Sequence, residues 1–357
     1  MPEHLTSRER VLATFAHREP DHVPCWLGAS PEWRALARQH LGLPDDESLS
    51  VYVGDDFRRV HSRFAGPEEA HPTRHLCHPE ATYRTPFGIE RYGYGYGMPL
   101  TSPLKSAKTV AEVEAYAWPS PDWVDVSHIR AEALAYDRQY AILGGEWSPF
   151  WHDAIDLLDF EGLVYRMYDS PDVVDAVMGR VADYYLGASR HAFEAAGDAI
   201  DIFFIGNDFG AQTGPMIGTR LFRRFILPHL KRFVDLGHEF DKYVLLHCDG
   251  SIRHLIPDMI AIGLDGLQSV QPVCAGMALE GLKADFGCSL TFAGGIDTQS
   301  LIEGTADEAR AITLRTLEIM MPGGGFIASP SHDYLLPETP VENVIVMYET
   351  IKEYGYY

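Results

Sequence analysis

Tyr243-Val244-Leu245-Leu246-His247-Cys248-Asp249-Gly250 is a run of apolar residues that breaks off into a histidine, a thiol, a carboxylate and a glycine. Its first residues read as a short buried strand and Ser251 to Ile262 as the helix that follows. The polar cluster therefore falls at a strand's C-terminal end, where ligands bind in folds made of parallel strands. Strand side chains alternate, so His247 and Asp249 share one face and Cys248 points to the other.

Outward from this stretch the pattern repeats. Strands are predicted at Ala141 to Trp147, Ile200 to Asn207, Tyr243 to His247, Gly266 to Val270, Leu290 to Gly294 and Gly325 to Ala328. Helical stretches separate them, at about 159–167, 171–196, 218–238, 251–262, 306–320 and 341–353. Alternation of this kind implies a parallel α/β sheet. Thr6-Ser7-Arg8-Glu9 has capping-box spacing and opens a short helix, and His22 to Leu27 reads as a first strand. With that strand and the region that follows it, eight repeats close a (β/α)8 TIM barrel over residues 1–357 as a single domain.

From about residue 66 to 125 the chain becomes rich in Pro, Gly and aromatic residues, with the run Tyr92-Gly93-Tyr94-Gly95-Tyr96-Gly97-Met98. This reads as an excursion of loops and short strands. The Tyr/Gly run fits either a lid over a substrate or a hairpin packed on the body.

Lysine and arginine number 29 against 51 acidic residues, a net charge of −22 that repels nucleic acid and anionic membranes alike. The five cysteines form no Cys-x-x-Cys pair, as in a reducing compartment. The N-terminal residues lack the apolar core of a signal peptide, and no run approaches the roughly 20 apolar residues of a membrane span, so a cytoplasmic location is expected.

Polar residues gather just after the strands: Glu146 and His152; Asn207, Asp208 and Gln212; His247 and Asp249; Gln268 and Gln271; Asp297 and Gln299; His332 and Asp333. Two chemistries fit them. His247, Asp249 and His332 make a three-ligand metal set with an open position, or one histidine works as a general acid or base held by a carboxylate. No Gly-x-Ser-x-Gly elbow, phosphate-binding loop or Gly-x-Gly-x-x-Gly is present. The glycines Gly323 to Gly325 lead from a helix into a strand, which places them on the rim opposite the active face.

Several of these segments resemble the uroporphyrinogen decarboxylase superfamily, which includes the decarboxylase and the corrinoid- and coenzyme M-linked methyltransferases. The likeness rests on Thr6 to Leu12 with Glu19-Pro20-Asp21-His22-Val23-Pro24, on Asn207-Asp208-Phe209-Gly210-Ala211-Gln212, and on His247-Cys248-Asp249-Gly250. Gly294-Gly295-Ile296-Asp297-Thr298-Gln299, Met321 to Gly325 and Pro330-Ser331-His332 add to it. It implies a barrel with a C-terminal-face cleft, a small-molecule substrate, a homodimer, and a corrinoid protein or folate as methyl carrier.

The departures from the family pattern favour its methyltransferase-like branch. Where the decarboxylase carries an Arg-x-x-x-Arg element, this chain reads Leu27-Gly28-Ala29-Ser30-Pro31. The zinc methyltransferases use a His-x-Cys element and a later cysteine; here His247-x-Asp249 and His332 stand in those places, which permits zinc or another divalent ion. The decarboxylase's catalytic aspartate has its counterpart in Asp55 or Asp56. The resulting expectation is His247, Asp249 and His332 at the centre, Asp208 and Asp56 as further catalytic groups, and Trp147, His152, Gln212, Gln271 and Asp297 on the substrate. A decarboxylase or lyase without metal, and a non-catalytic module that binds a corrinoid partner, are the alternatives.

Overall fold

The computed structural model describes residues 4–70, 82–93 and 97–357. Seven parallel strands form one sheet: β1 (Phe57–Arg59), β2 (Ala141–Gly144), β3 (Ile202–Gly206), β4 (Tyr243–His247), β5 (Gly266–Val270), β6 (Thr291–Ile296) and β7 (Phe326–Pro330). They lie side by side in chain order. Nearly every residue in them is buried, as expected of parallel strands covered on both faces.

The sheet curls so that alternate side chains point inward. Leu143, Ile202, Phe204, Leu245, Ala293 and Ile327 meet Trp26 and Phe57 in an inner core. Residues of opposite parity, among them Phe203, Ile205, Val244, Leu246 and Cys248, pack outward under the helices. This parity puts His247 on the inner side and Cys248 on the outer, as the strand reading anticipates.

The helix Ser7–Phe15 begins at the expected capping box of Thr6 and Glu9. It stoppers the N-terminal end of the sheet: Val11 and Phe15 join the inner core, and Phe15 stacks on Tyr243 at 4.8 Å between ring centroids. Gly325 sits at that same end, where an added Cβ would meet His17 Nδ1 at 2.7 Å. The opposite end, with the C-termini of the strands, carries the polar residues.

Two expectations are corrected. His22 to Leu27 forms no regular strand; Pro24 to Trp26 is extended, and Cys25 bridges in parallel to both Asp55 and Ala328. Hydrogen bonds from Trp26 N to Ala328 O (3.1 Å), Ala328 N to Pro24 O (2.8 Å) and Asp56 N to Cys25 O (3.0 Å) join β7 to the segment before β1. The loop-rich excursion adds nothing to the parallel sheet among the described residues. It forms small antiparallel pairings instead, Arg63–Phe64 with Val124–Asp125, and Glu90–Tyr92 between Thr82–Arg84 and Met98–Pro99. The strand missing from the sequence reading is β1, whose three residues include two arginines and give no apolar run. Tyr94 to Tyr96 of the Tyr/Gly run lie outside the described residues.

Candidate active site

Two loops build the polar centre, Asn207 to Gln212 after β3 and His247 to Gly250 after β4. They touch backbone to backbone. A Cβ on Gly210 would lie 2.7 Å from Asp249 O, and one on Gly250 2.6 Å from Gly210 C, while Gly250 holds φ +87°, so both positions need glycine. Ser251 N donates to Ala211 O at 2.8 Å, and Asp249 N donates to Asp208 Oδ1 at 2.9 Å. These bonds fix Asp208 beside Asp249.

The cluster they create is Asp208, His247 and Asp249, which offer one ligand atom each within 4.8 Å of one another. His247 Nε2 stands 3.5 Å from Asp208 Oδ1 and 3.9 Å from Asp249 Oδ1. Its other nitrogen, Nδ1, lies 2.6 Å from Gln268 Oε1, and Gln268 Nε2 donates to Asp333 Oδ1 at 3.2 Å. The Asp333 bond orients the amide, so Gln268 presents its oxygen and His247 donates from Nδ1. The lone pair of the neutral ring is then on Nε2, facing two carboxylates.

Burial is the largest single influence on His247 and disfavours its charge, yet Asp249, Asp208 and Asp333 together outweigh it and raise the ring's pKa. The centre thus calls for a positive charge at Nε2. A proton satisfies it, and so does a metal ion. Asp249 Oδ1 is buried with no hydrogen-bond partner among the described residues, so the residue has an oxygen to give to a cation. Two carboxylates and one imidazole suit zinc or a harder divalent ion and match its charge. The residues fit a divalent cation.

His332 lies outside this set. Its Nε2 is 3.2 Å from Asp249 Oδ2, and its Nδ1 accepts from Tyr334 N at 3.0 Å. Burial lowers and Asp249, Asp333 and Asp208 raise its pKa, with a net rise, but the Tyr334 amide needs a lone pair at Nδ1. With Nδ1 taken by that amide, Nε2 is the ring nitrogen that faces Asp249 Oδ2. Of the expected set, His247 and Asp249 lie in this cluster with Asp208, while His332 stands beside it against Asp249 Oδ2. Burial alone would raise the pKa of Asp249; the His332 hydrogen bond and the two rings reverse this and lower it.

The remaining expected residues divide. His152, on the helix Phe150–Leu158, points Nε2 at Asp208 Oδ2 (3.6 Å), and burial, the leading cause, lowers its pKa. Trp147 lies 5.2 Å from the His247 ring, centroid to centroid. Gln212, Gln271 and Asp297 line a cavity of about 350 Å³ that also reaches Asp249 and His332. Asp56 does not belong to the centre. It sits just before β1 at the stoppered end, paired with Arg10 (2.8 Å) and accepting from Cys25 N (2.7 Å).

Sequence reasoning placed Gln268 and Asp333 at strand ends without a role and missed Arg59. The Arg59 guanidinium lies over the Trp147 and Phe204 rings, 5.5 and 5.0 Å from their centroids. Its signal was parity: Phe57 and Arg59 share the inward face of β1. A bulge after Gln268, with Ser269 at φ +76°, re-aims the end of β5 beside the site.

The family model for uroporphyrinogen decarboxylase (URO-D) matches residues 93–354. The chain belongs to the uroporphyrinogen decarboxylase family. It is similar to the methylcobamide:CoM methyltransferase MtbA of Methanosarcina acetivorans, 20% identical over 226 residues, and to that of Methanosarcina mazei, 21% identical over 226 residues. Each alignment takes in 62% of this chain and 60% of the relative. The chain therefore spans about three fifths of the length of the curated relatives it matches. Among solved structures, a methyltransferase from Methanosarcina mazei superposes with a TM-score of 0.68 at 19% identity, over 98% of this chain and 99% of the other, a likeness of fold. Among the described residues no helix is long and apolar enough to cross a membrane.

Proposed function

We propose that this family member is a corrinoid-linked methyltransferase acting on a small molecule, with Asp208, His247 and Asp249 holding a divalent cation. Residues 1–357 act as one unit on this reading, a (β/α)8 barrel in which Pro24 to Trp26 stand as the first strand. The observation that carries it is the cluster itself, three convergent ligand atoms with Asp249 Oδ1 left without a partner. Support comes from the relatives, which are methylcobamide:CoM methyltransferases.

A divalent ion held by Asp208, His247 and Asp249 would supply Lewis acidity to a substrate heteroatom. Gln268 keeps the proton of His247 on Nδ1 and its lone pair on Nε2. His332 Nε2 pairs with Asp249 Oδ2 and so leaves Oδ1 to the cluster. Asp208, held through Asp249 N, completes the set. Trp147 walls off the other side of His247 from water.

The test follows the methyl–cobalt absorbance of methylcobalamin, or of a methylated corrinoid protein, on adding small thiol, alcohol and amine acceptors. Demethylation that needs zinc and is lost in His247→Ala is expected. Metal-loaded protein that demethylates with no acceptor overturns the proposal. Release of carbon dioxide from small carboxylates by metal-free protein would favour the lyase alternative, with the His247 proton in place of the ion.

A further inference from the structure

The cavity beside the cluster carries information on charge. Among the described residues that line it there is no lysine or arginine, whereas Asp249 and Asp297 both do. Its apolar wall is made by Val273, Ile302 and Leu336, with the Tyr334 ring among them.

The backbone seat that could hold an anion is already filled. The helix Thr298–Glu303 starts at the cavity, and Asp297 is its N-cap: Oδ2 accepts from Ser300 N at 2.9 Å and from Ser300 Oγ at 2.6 Å. Thr298 N is taken by Ser331 Oγ at 3.0 Å. Asp297 is 5% exposed, and both of its hydrogen bonds from Ser300 fall on Oδ2 rather than Oδ1. Gln271 spends its oxygen on Gly250 N (3.1 Å) and on the Cys274 thiol (3.4 Å). That thiol is pushed up first by burial and then by Asp249 and Asp297, so the field of both acids reaches the same wall. A divalent ion in the cluster would offset Asp208 and Asp249 and leave Asp297 uncompensated. The chain's charge of −22 acts in the same direction.

We infer that the cavity takes a small organic cation, an amine or methylated ammonium, with its charge at Asp297 and its hydrocarbon against Val273 and Leu336. This rests on the methyl-transfer reading only in taking the cavity as the substrate's seat. Carboxylates, sulfonates and phosphates are excluded from it.

Calorimetric titration with three probes of similar size tests the assignment: choline, its uncharged isostere 3,3-dimethyl-1-butanol, and propanesulfonate. Choline should bind at least tenfold more tightly than the isostere, and propanesulfonate should not bind. Asp297→Asn keeps a side-chain oxygen for the helix cap and should erase the preference for choline. Equal binding of choline and isostere, binding of the sulfonate, or a preference that survives Asp297→Asn overturns the inference. The titration needs no corrinoid, so the two proposals fail separately. Methylcobalamin turnover with an anionic thiol and no preference for choline contradicts only the inference. A preference for choline without turnover contradicts only the methyl-transfer reading.

Discussion

His247 Nδ1 lies 2.6 Å from Gln268 Oε1, and this one hydrogen bond decides which nitrogen of the ring faces the two carboxylates of the site. The bond is itself held by Gln268 Nε2 on Asp333, so a strand residue that is not one of the three clustered groups sets the tautomer of one that is.

Replacing Gln268 by Leu removes the acceptor and frees His247 to carry its proton on either nitrogen. We expect metal affinity to fall roughly 10- to 100-fold, the usual effect of losing such a partner, with the thermal midpoint little changed. Competition with a chromophoric chelator measures it. An affinity equal to wild type would show that Gln268 is only a packing residue.

Gly206 is the strand residue under Trp147. An added Cβ there would overlap Trp147 Cζ2, so Gly206→Ala must displace the indole that packs on His247. The expected result is a changed tryptophan emission, a loss of about 1–3 kcal/mol of stability from overpacking, and a rate deficit larger than the stability loss explains. Unaltered emission and turnover would mean that Trp147 has no part in the site.

Much of this arrangement was legible in the sequence, because the strands that carry it are apolar on both faces and end abruptly. Tyr243 to His247 and Gly266 to Val270 were predicted with the bounds they have, and alternation alone separated His247 from Cys248. What stayed hidden depends on contacts between loops. Asp208 is held in the cluster by a bond from the Asp249 amide, and His332 Nδ1 is taken by the Tyr334 amide; neither interaction has a spacing signature. Asp56 entered the expected site only through the family likeness, and no pattern in the sequence showed that it stands before β1 beside Arg10. Phe57 to Arg59 was missed because three residues, two of them charged, carry no periodicity.

Arg91 ties the excursion to the body of the protein. It is buried, with Nη2 2.8 Å from Asp153 and Nε 2.8 Å from Asp156, and Tyr185 Oη also donates to Asp153. Burial pushes the Asp156 carboxyl up while Arg91 opposes it. Arg91→Met leaves two buried carboxyls without their cation and should cost about 3–5 kcal/mol in urea unfolding. Adding Asp153→Asn and Asp156→Asn should recover much of the loss. No recovery would mean that packing, not charge, holds this contact.

His229, beside Phe150, gives a dependence on acid that is remote from the site. Burial, the leading cause, pushes its ring down to about 4. The unfolded chain, with an ordinary imidazole near 6.5, binds the proton first, so this contribution to stability is complete above about pH 6.5 and is lost as the pH falls toward 4. We expect His229→Gln to flatten the fall in stability across that window, by up to roughly 3 kcal/mol. Parallel curves for the two proteins would contradict it.

The most direct measurement is the metal content of protein purified without added metal or nickel resin, compared among wild type, Asp208→Ala and His332→Gln. The site geometry predicts about one divalent ion per chain in wild type and in His332→Gln, and none in Asp208→Ala. Metal retained without Asp208, or absent from folded wild type even after incubation with zinc, would contradict it.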